Sequence, residues 1–182
     1  MLRIVGGRNG GRCIAAPAGD FARPTSERVR EALFSILDSK HMLSGARVLD
    51  GCAGSGALGL EALSRGAAHV TFFDTSRRAL KVVGENIATL GEEVATDVRT
   101  ADVVNPPPAP DTCSLLFIDA PYRSGTANQA LPSLATAGWL ADGALIAVET
   151  ERSAELALPD GFSKIDYRSY GSTELHFLEY NG

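Results

Sequence analysis

Residues 47–59 read RVLDGCAGSGALG, and this stretch decides the fold. Arg47, Val48 and Leu49 read as the end of a short buried strand. Asp50 follows, then the glycines Gly51, Gly54 and Gly56, then Ala57, Leu58, Leu60, Ala62 and Leu63 in a helical pattern. A strand that enters a helix through a glycine turn makes a small-molecule site. Glycine lets backbone approach a ligand with no Cβ in the way, and the helix N-terminus adds unpaired N–H donors. Gly54, Gly56 and Gly59 fit G-x-G-x-x-G, which alone is a weak signal. Two acids sharpen it. Asp50 stands at the strand end before the glycines, and Asp74 ends the next apolar run, Val70, Thr71, Phe72 and Phe73. That spacing suits a carboxylate on ribose hydroxyls at the tip of a second strand.

Two cofactor classes use this layout. In dinucleotide folds the turn cradles a pyrophosphate. In methyltransferases it carries no phosphate, and the acid before the glycines faces the amino group of a methionine moiety. Asp50 beside a pyrophosphate would be repulsive, so it favours S-adenosylmethionine. The plain alternative is a strand–helix turn whose glycines serve packing.

The chain of 182 residues reads as one domain, 1–182, with residues 1–24 as a basic hairpin-and-loop extension within it. Apolar content of 45% and charged content of 21% are ordinary globular values. No apolar run approaches the ~20 residues of a membrane helix, and residues 1–7 lack the long apolar core of a secretory signal. Cys13, Cys52 and Cys113 are far apart, without metal spacing, and read as reduced thiols of a cytoplasmic protein. The net charge of −5 speaks against nucleic acid, but its distribution does not. Residues 1–30 hold six arginines against Asp20 and Glu27, on an otherwise acidic body. Such an arm can touch phosphates locally; ordinary surface arginines are the alternative. The mixed surface charge suggests a monomer.

Around the central stretch the order is regular. Residues 2–5 and 12–16 predict an N-terminal hairpin across a glycine-rich turn. Thr25 or Ser26 caps a helix whose face is Val29, Ala32, Leu33, Ile36 and Leu37. Leu80, Val83, Ile87 and Leu90 mark another helix, ended by Gly91. A poorly patterned strand over residues 93–100 puts Asp102 near its tip, within reach of an adenine amino group or simply of solvent. Residues 114–118, SLLFI, are a continuous apolar run, as in a central parallel strand. A short helix over 129–137, a strand over 144–148 ending at Glu149, and a closing pair over 165–167 and 175–178 complete the pattern. The expectation is an α/β, doubly wound, mostly parallel seven-stranded sheet with an N-terminal β-hairpin extension.

The run 114–118 ends in Asp119, Ala120, Pro121 and Tyr122. These group types suit methylation of an exocyclic amine. That nitrogen is a poor nucleophile because its lone pair is delocalised into the ring. A carboxylate (Asp119) and a carbonyl (Ala120) that accept its two N–H hydrogens turn the lone pair toward the methyl donor. Tyr122 offers a ring for stacking a flipped or single-stranded base, and Pro121 stiffens the turn. A strand-end Asp with a packing Tyr is the bland alternative.

The tetrapeptide resembles the (Asp/Asn)-Pro-Pro-(Tyr/Phe) motif of amino-group methyltransferases. Residues 23–34, RPTSERVREALF, and 53–67, AGSGALGLEALSRGA, with Tyr170, Gly171, Ser172 and Thr173 near the end, resemble the bacterial family that makes N2-methylguanine in 16S ribosomal RNA. The likeness covers nearly the whole chain. It implies a class I methyltransferase fold, S-adenosylmethionine as cofactor, and one guanine of an assembled or assembling small subunit as target. It implies that Asp50, Gly51, Gly54 and Gly56 hold the methionine end, Asp74 the ribose and Asp102 the adenine. Asp119, Ala120, Pro121 and Tyr122 then form the guanine site, with Arg8, Arg12, Arg23, Thr25 and Arg30 toward RNA.

Two departures stand out. Ala120 replaces the first proline of the motif, which keeps the carbonyl but loosens the turn. Gly51 and Cys52 replace a bulkier apolar–aromatic pair, which predicts weaker cofactor binding. Other readings are a methyltransferase for a DNA adenine or a small molecule, and an inactive RNA-binding assembly factor. An NAD-dependent oxidoreductase is more distant, because it gives Asp50 and Asp119 no role.

Overall fold

A computed structural model describes residues 2–17, 25–119, 125–152 and 154–182. The elements are β1 (Leu2–Arg3), β2 (Cys13–Ile14), α1 (Glu27–Ser39), β3 (Arg47–Asp50), α2 (Ala57–Ser64), β4 (His69–Asp74), α3 (Arg77–Leu90), β5 (Thr96–Thr100), β6 (Cys113–Asp119), α4 (Thr126–Thr136), β7 (Leu140–Glu151), β8 (Phe162–Tyr170) and β9 (Thr173–Tyr180). Strands β1 and β2 pair antiparallel as a small separate sheet. The main sheet has seven strands in the order β5-β4-β3-β6-β7-β9-β8. Strands β3 to β7 run parallel, and β9 is antiparallel to both neighbours.

The strands alternate between two cores. Val48, Val70, Phe72, Leu115, Phe117, Leu145 and Ala147 pack with residues of α1, α2 and α3. Leu49, Phe73, Leu116, Ile118, Ile146 and Val148 pack on the other face with Leu131 and Leu134 of α4 and with Trp139. Because both faces are covered, the central strands read as continuous apolar runs. The same alternation sends Asp50, Asp119 and Glu149, two residues beyond Val48, Phe117 and Ala147, to the α1–α3 face at the carboxyl edge.

Helix α1 buries Val29, Leu33, Phe34 and Leu37, and Ser26 is its cap, with its hydroxyl accepting from Val29 N. The cap contributes about 1 kcal/mol. Each buried side chain contributes about 1.5–3 kcal/mol, so packing rather than capping fixes the helix in place. Helix α2 is buried at all eight positions, including Glu61. The Glu61 carboxylate accepts from Val5 N at 2.7 Å, Gly6 N at 2.8 Å and Arg65 Nε at 2.8 Å. Asn86 of α3 adds a second tie. It exchanges bonds with Ala15 N (2.8 Å) and Ala15 O (2.9 Å) and donates to Ser55 O at 2.9 Å. These two side chains dock the N-terminal strands on the body beside the glycine turn.

The third glycine of the turn motif is there for packing. A Cβ on Gly59 would collide with the Phe72 ring and lie 2.8 Å from Val70 Cγ1. Overpacking of this kind costs about 1–3 kcal/mol. Gly59→Ala is therefore expected to lower the unfolding free energy by that amount, read as a lower urea midpoint at unchanged m-value; an unaltered midpoint would show that α2 can ride up from β4 freely.

Two elements run longer than their sequence pattern. β7 extends over Leu140–Glu151, because the ladder resumes at Cys113–Leu140 beyond an irregularity. β8 extends over Phe162–Tyr170 as an edge strand whose mostly polar, exposed residues carry little apolar alternation.

Candidate active site

The sheet reverses its direction of build between β3 and β6, and ligands of open α/β sheets bind at such a switch point, outside the carboxyl ends of the strands. Here the chain leaving β3 is tied down on both sides. Gly51 N donates to Phe117 O and Ala53 N to Phe73 O, each at 2.9 Å. Gly54 and Gly56 have φ of +54° and +77°, a left-handed backbone that an L side chain rarely adopts. Space next to Gly54 is open where a Cβ would stand, so a ligand can meet its backbone.

A cavity of about 600 Å³ lies over this turn, within the range of small-molecule sites. Its wall includes Gly51, Cys52, Gly54, Ser55, Asp74, Asp102 and Asp119, with Thr25, Ala16 and Leu2 on the N-terminal side. Three aspartates face it, and among the described residues no lysine, arginine or histidine lines it. Asp74 is held by Gly54 N at 2.9 Å on one oxygen and by Ser76 N at 2.8 Å on the other. Asp102 is exposed and accepts from Val104 N at 2.9 Å. A pyrophosphate would be repelled by this wall. A compact organic cation, such as a sulfonium bearing an ammonium group, fits it.

Asp50 is 1% exposed. It lies beneath the cavity floor, not on its wall, and accepts from Gly59 N at 2.9 Å. The structure thus places this expected cofactor contact just under the residues that line the cavity. Burial pushes its carboxyl up to about 7, with the nearby Asp119 and Asp74 adding to the rise and the Gly59 hydrogen bond opposing it. Burial also raises Asp119 to about 6, against the hydrogen bond from Thr25. The Cys52 thiol is pushed up by burial and by Asp50, Asp119, Asp74 and Asp102. It stays protonated and is no nucleophile.

The structure brings Asp50, Gly51, Gly54, Gly56, Asp74, Asp102 and Asp119 together around one turn and cavity. Ala120, Pro121, Tyr122 and Arg23 lie outside the described residues. Two of the expected RNA contacts, Arg30 and Thr25, are directed inward. Arg30 is 1% exposed; its Nη2 donates to Arg3 O and its Nε stands 3.9 Å from Glu61 Oε2. It is a core residue of α1. Thr25 is buried and directed inward, with its hydroxyl 2.6 Å from Asp119 Oδ2 and 2.8 Å from Glu149 Oε2. Arg8 and Arg12 are exposed, and both guanidinium groups also brace the extension. Arg8 Nε donates to Glu92 Oε1 at 2.9 Å, and Arg12 donates to Leu90 O at 3.2 Å and to Thr89 O.

Sequence reasoning missed Glu149, which stands directly opposite Asp119 in the β6–β7 ladder. The available signal was its place as a further strand-end acid. It also missed Asn86, for which no local signal exists, and Glu61, which the single acid in the octet ALGLEALS could have flagged.

The parallel sheet, the glycine turn and the acid-lined cavity define a class I methyltransferase fold. The family model described as conserved hypothetical protein 95 matches residues 2–179. The chain is 40% identical over 151 residues to ribosomal RNA small subunit methyltransferase D of Escherichia coli (strain K12), covering 83% of this chain and 75% of the relative. It is 33% identical over 174 residues to the protein of the same name from Haemophilus influenzae, covering 93% and 89%. A solved Escherichia coli structure, yhhF, superimposes with a TM-score of 0.85 at 34% identity, covering 99% of this chain and 98% of that one. The chain belongs to the ribosomal RNA small subunit methyltransferase D family.

Proposed function

We propose that the protein transfers the methyl group of S-adenosylmethionine to the exocyclic N2 of one guanine in 16S ribosomal RNA, in an assembled or assembling small subunit and in the cytoplasm. The observation that carries this reading is the cavity: three aspartates, Asp119 among them, and no basic residue line it among the described residues. The printed names of the relatives support ribosomal RNA as the substrate class.

When bound, the cofactor supplies an electrophilic methyl group on a sulfonium. The chain does the rest. The backbone of Gly51 and Gly54 and the side chains of Asp74 and Asp102 hold the cation and its nucleoside. Asp50 adds negative potential from beneath. Asp119, ionised, accepts an N–H of the guanine amine, aligns its lone pair with the methyl group, and takes that proton, directly or through water, as the N–C bond forms and the S–C bond breaks. In this reading the Ala120 carbonyl takes the second N–H, and Tyr122 stacks on the base. Positioning and matched electrostatics supply the rate. Arg8 and Arg12, both exposed, are placed to meet phosphates in this reading, which also assigns Arg23 to RNA by resemblance alone.

The test is transfer of labelled methyl from S-adenosylmethionine to unmodified small subunits, naked ribosomal RNA and DNA. The expected result is label on one RNA guanine, strongest on subunits or assembly intermediates. Label on DNA alone would overturn the assignment, and cofactor binding without transfer to any of the three would move the protein to an assembly role.

A further inference from the structure

Thr25 reaches two carboxylates at once. Its Oγ1 lies 2.6 Å from Asp119 Oδ2 and 2.8 Å from Glu149 Oε2. All three elements bring their residues to one spot: the loop before α1 brings Thr25, β6 brings Asp119, and β7 brings Glu149 into direct register with Asp119. Thr25 is 6% and Glu149 8% exposed. A hydroxyl has one proton to give, and an ionised carboxylate has none. Two hydrogen bonds to one hydroxyl from two carboxyl groups therefore require a proton on one of them. A buried carboxylate and a half-buried one this close also resist being ionised together.

We infer that Thr25 and Glu149 are positioning residues for Asp119, in an arrangement where Glu149 keeps its proton and donates Oε2–H to Thr25 Oγ1, while Thr25 donates its own proton to Asp119 Oδ2. The arrangement leaves Asp119 ionised at the cavity wall, where a charged carboxylate is the stronger acceptor of an amine N–H. It also fixes the plane of the Asp119 carboxylate, and so the direction of Oδ1. The inference rests on the proposed role of Asp119 in amine methylation. The upward push of burial on Asp119, opposed by the Thr25 hydrogen bond, agrees with a pair that holds one proton near neutrality. The next carboxyl along the edge, Asp50, is a separate site bonded to Gly59 N.

The experiment combines kinetics and infrared spectroscopy on the full chain, with small subunits as substrate. Thr25→Val and Glu149→Leu are expected to lower kcat about 30-fold, within the effect of stranding a buried polar group, with KM for S-adenosylmethionine changed less than about threefold. Thr25→Ser and Glu149→Gln recover most of that loss, because serine keeps the hydroxyl and the Gln amide donates as the protonated Glu does. A protonated-carboxyl C=O band at neutral pH is lost in Glu149→Gln and displaced in Thr25→Val, while a band that vanishes only in Asp50→Asn serves as control. If Glu149→Gln falls as far as Glu149→Leu and the infrared band is unaltered, Glu149 works ionised and the inference is overturned. If the band behaves as expected but Asp119→Ala transfers methyl undiminished, the shared proton stands and the proposed role of Asp119 falls.

Discussion

Asp119→Ala is expected to lower kcat for methyl transfer about 10³-fold, while the Kd for S-adenosylmethionine stays within about threefold. The size follows from the work asked of one group. An exocyclic amine does not present its lone pair until its hydrogens are held out of the way. Removing one preorganised hydrogen-bonding group that acts in the transition state costs about 10²–10³ in kcat, and misplacing the nucleophile adds to that. Asp119 stands at the end of β6 and on the cavity wall. The turn at Gly54, held by Asp74, is a separate part of the wall, bonded through Gly54 N. The loss therefore falls on kcat and not on cofactor affinity. Single-turnover transfer to subunits with saturating cofactor checks the first part, and calorimetric titration checks the second. Undiminished transfer would mean that the amine is aligned by other groups.

How much of this was legible from the chain depends on how local each signal is. The glycine turn, Asp50, Asp74 and the strand end at Asp119 were readable because strand, turn and helix are contiguous there, and period and turn chemistry agree. The fold followed from strands apolar at every position, the mark of a sheet covered on both faces. The burial of Arg30 was not legible because a charged side chain is almost never fully buried unless paired, and its partners, Glu61 and the Arg3 carbonyl, are distant in sequence. The inward contacts of Thr25 were hidden for the same reason. Before a helix a threonine looks like a cap, yet Ser26 is the cap, and Thr25 points to acids 94 and 124 residues away. Glu149 was seen as the end of a strand, and only the parallel register with β6 makes it the neighbour of Asp119. The edge strand β8 was underestimated because its exposed polar face carries no burial pattern.

The second large effect is expected at Asp50. Asp50→Asn is predicted to stabilise the cofactor-free protein above neutral pH and to weaken S-adenosylmethionine about tenfold, one decade for roughly 1.4 kcal/mol. Unfolded, this carboxyl titrates at its ordinary 3.8; folded, at about 7. The folded state thus holds a proton that the unfolded state has released, so its contribution to stability falls as pH rises from about 4 to about 7 and is level above. The full cost above pH 7 is on the order of a few kcal/mol, and asparagine, neutral and nearly the same shape, removes it. The amide oxygen of the substituted side chain can still accept from Gly59 N, so the turn keeps its bond. Binding runs the other way. A cation over the floor favours ionised Asp50, so wild-type affinity should climb with pH up to about 7, with proton release on binding below it, and then level off. In the variant that climb flattens. Urea unfolding and calorimetric titration across pH 5 to 9, the latter in buffers of different ionisation enthalpy, read both halves. A variant that binds the cofactor as tightly as wild type at pH 8 would mean that Asp50 holds the turn through Gly59 alone and that its charge does nothing for the ligand. Tightened stability together with weakened binding would place Asp50 among groups kept unstable for function, with the charge that strains the empty fold being the one that receives the cation.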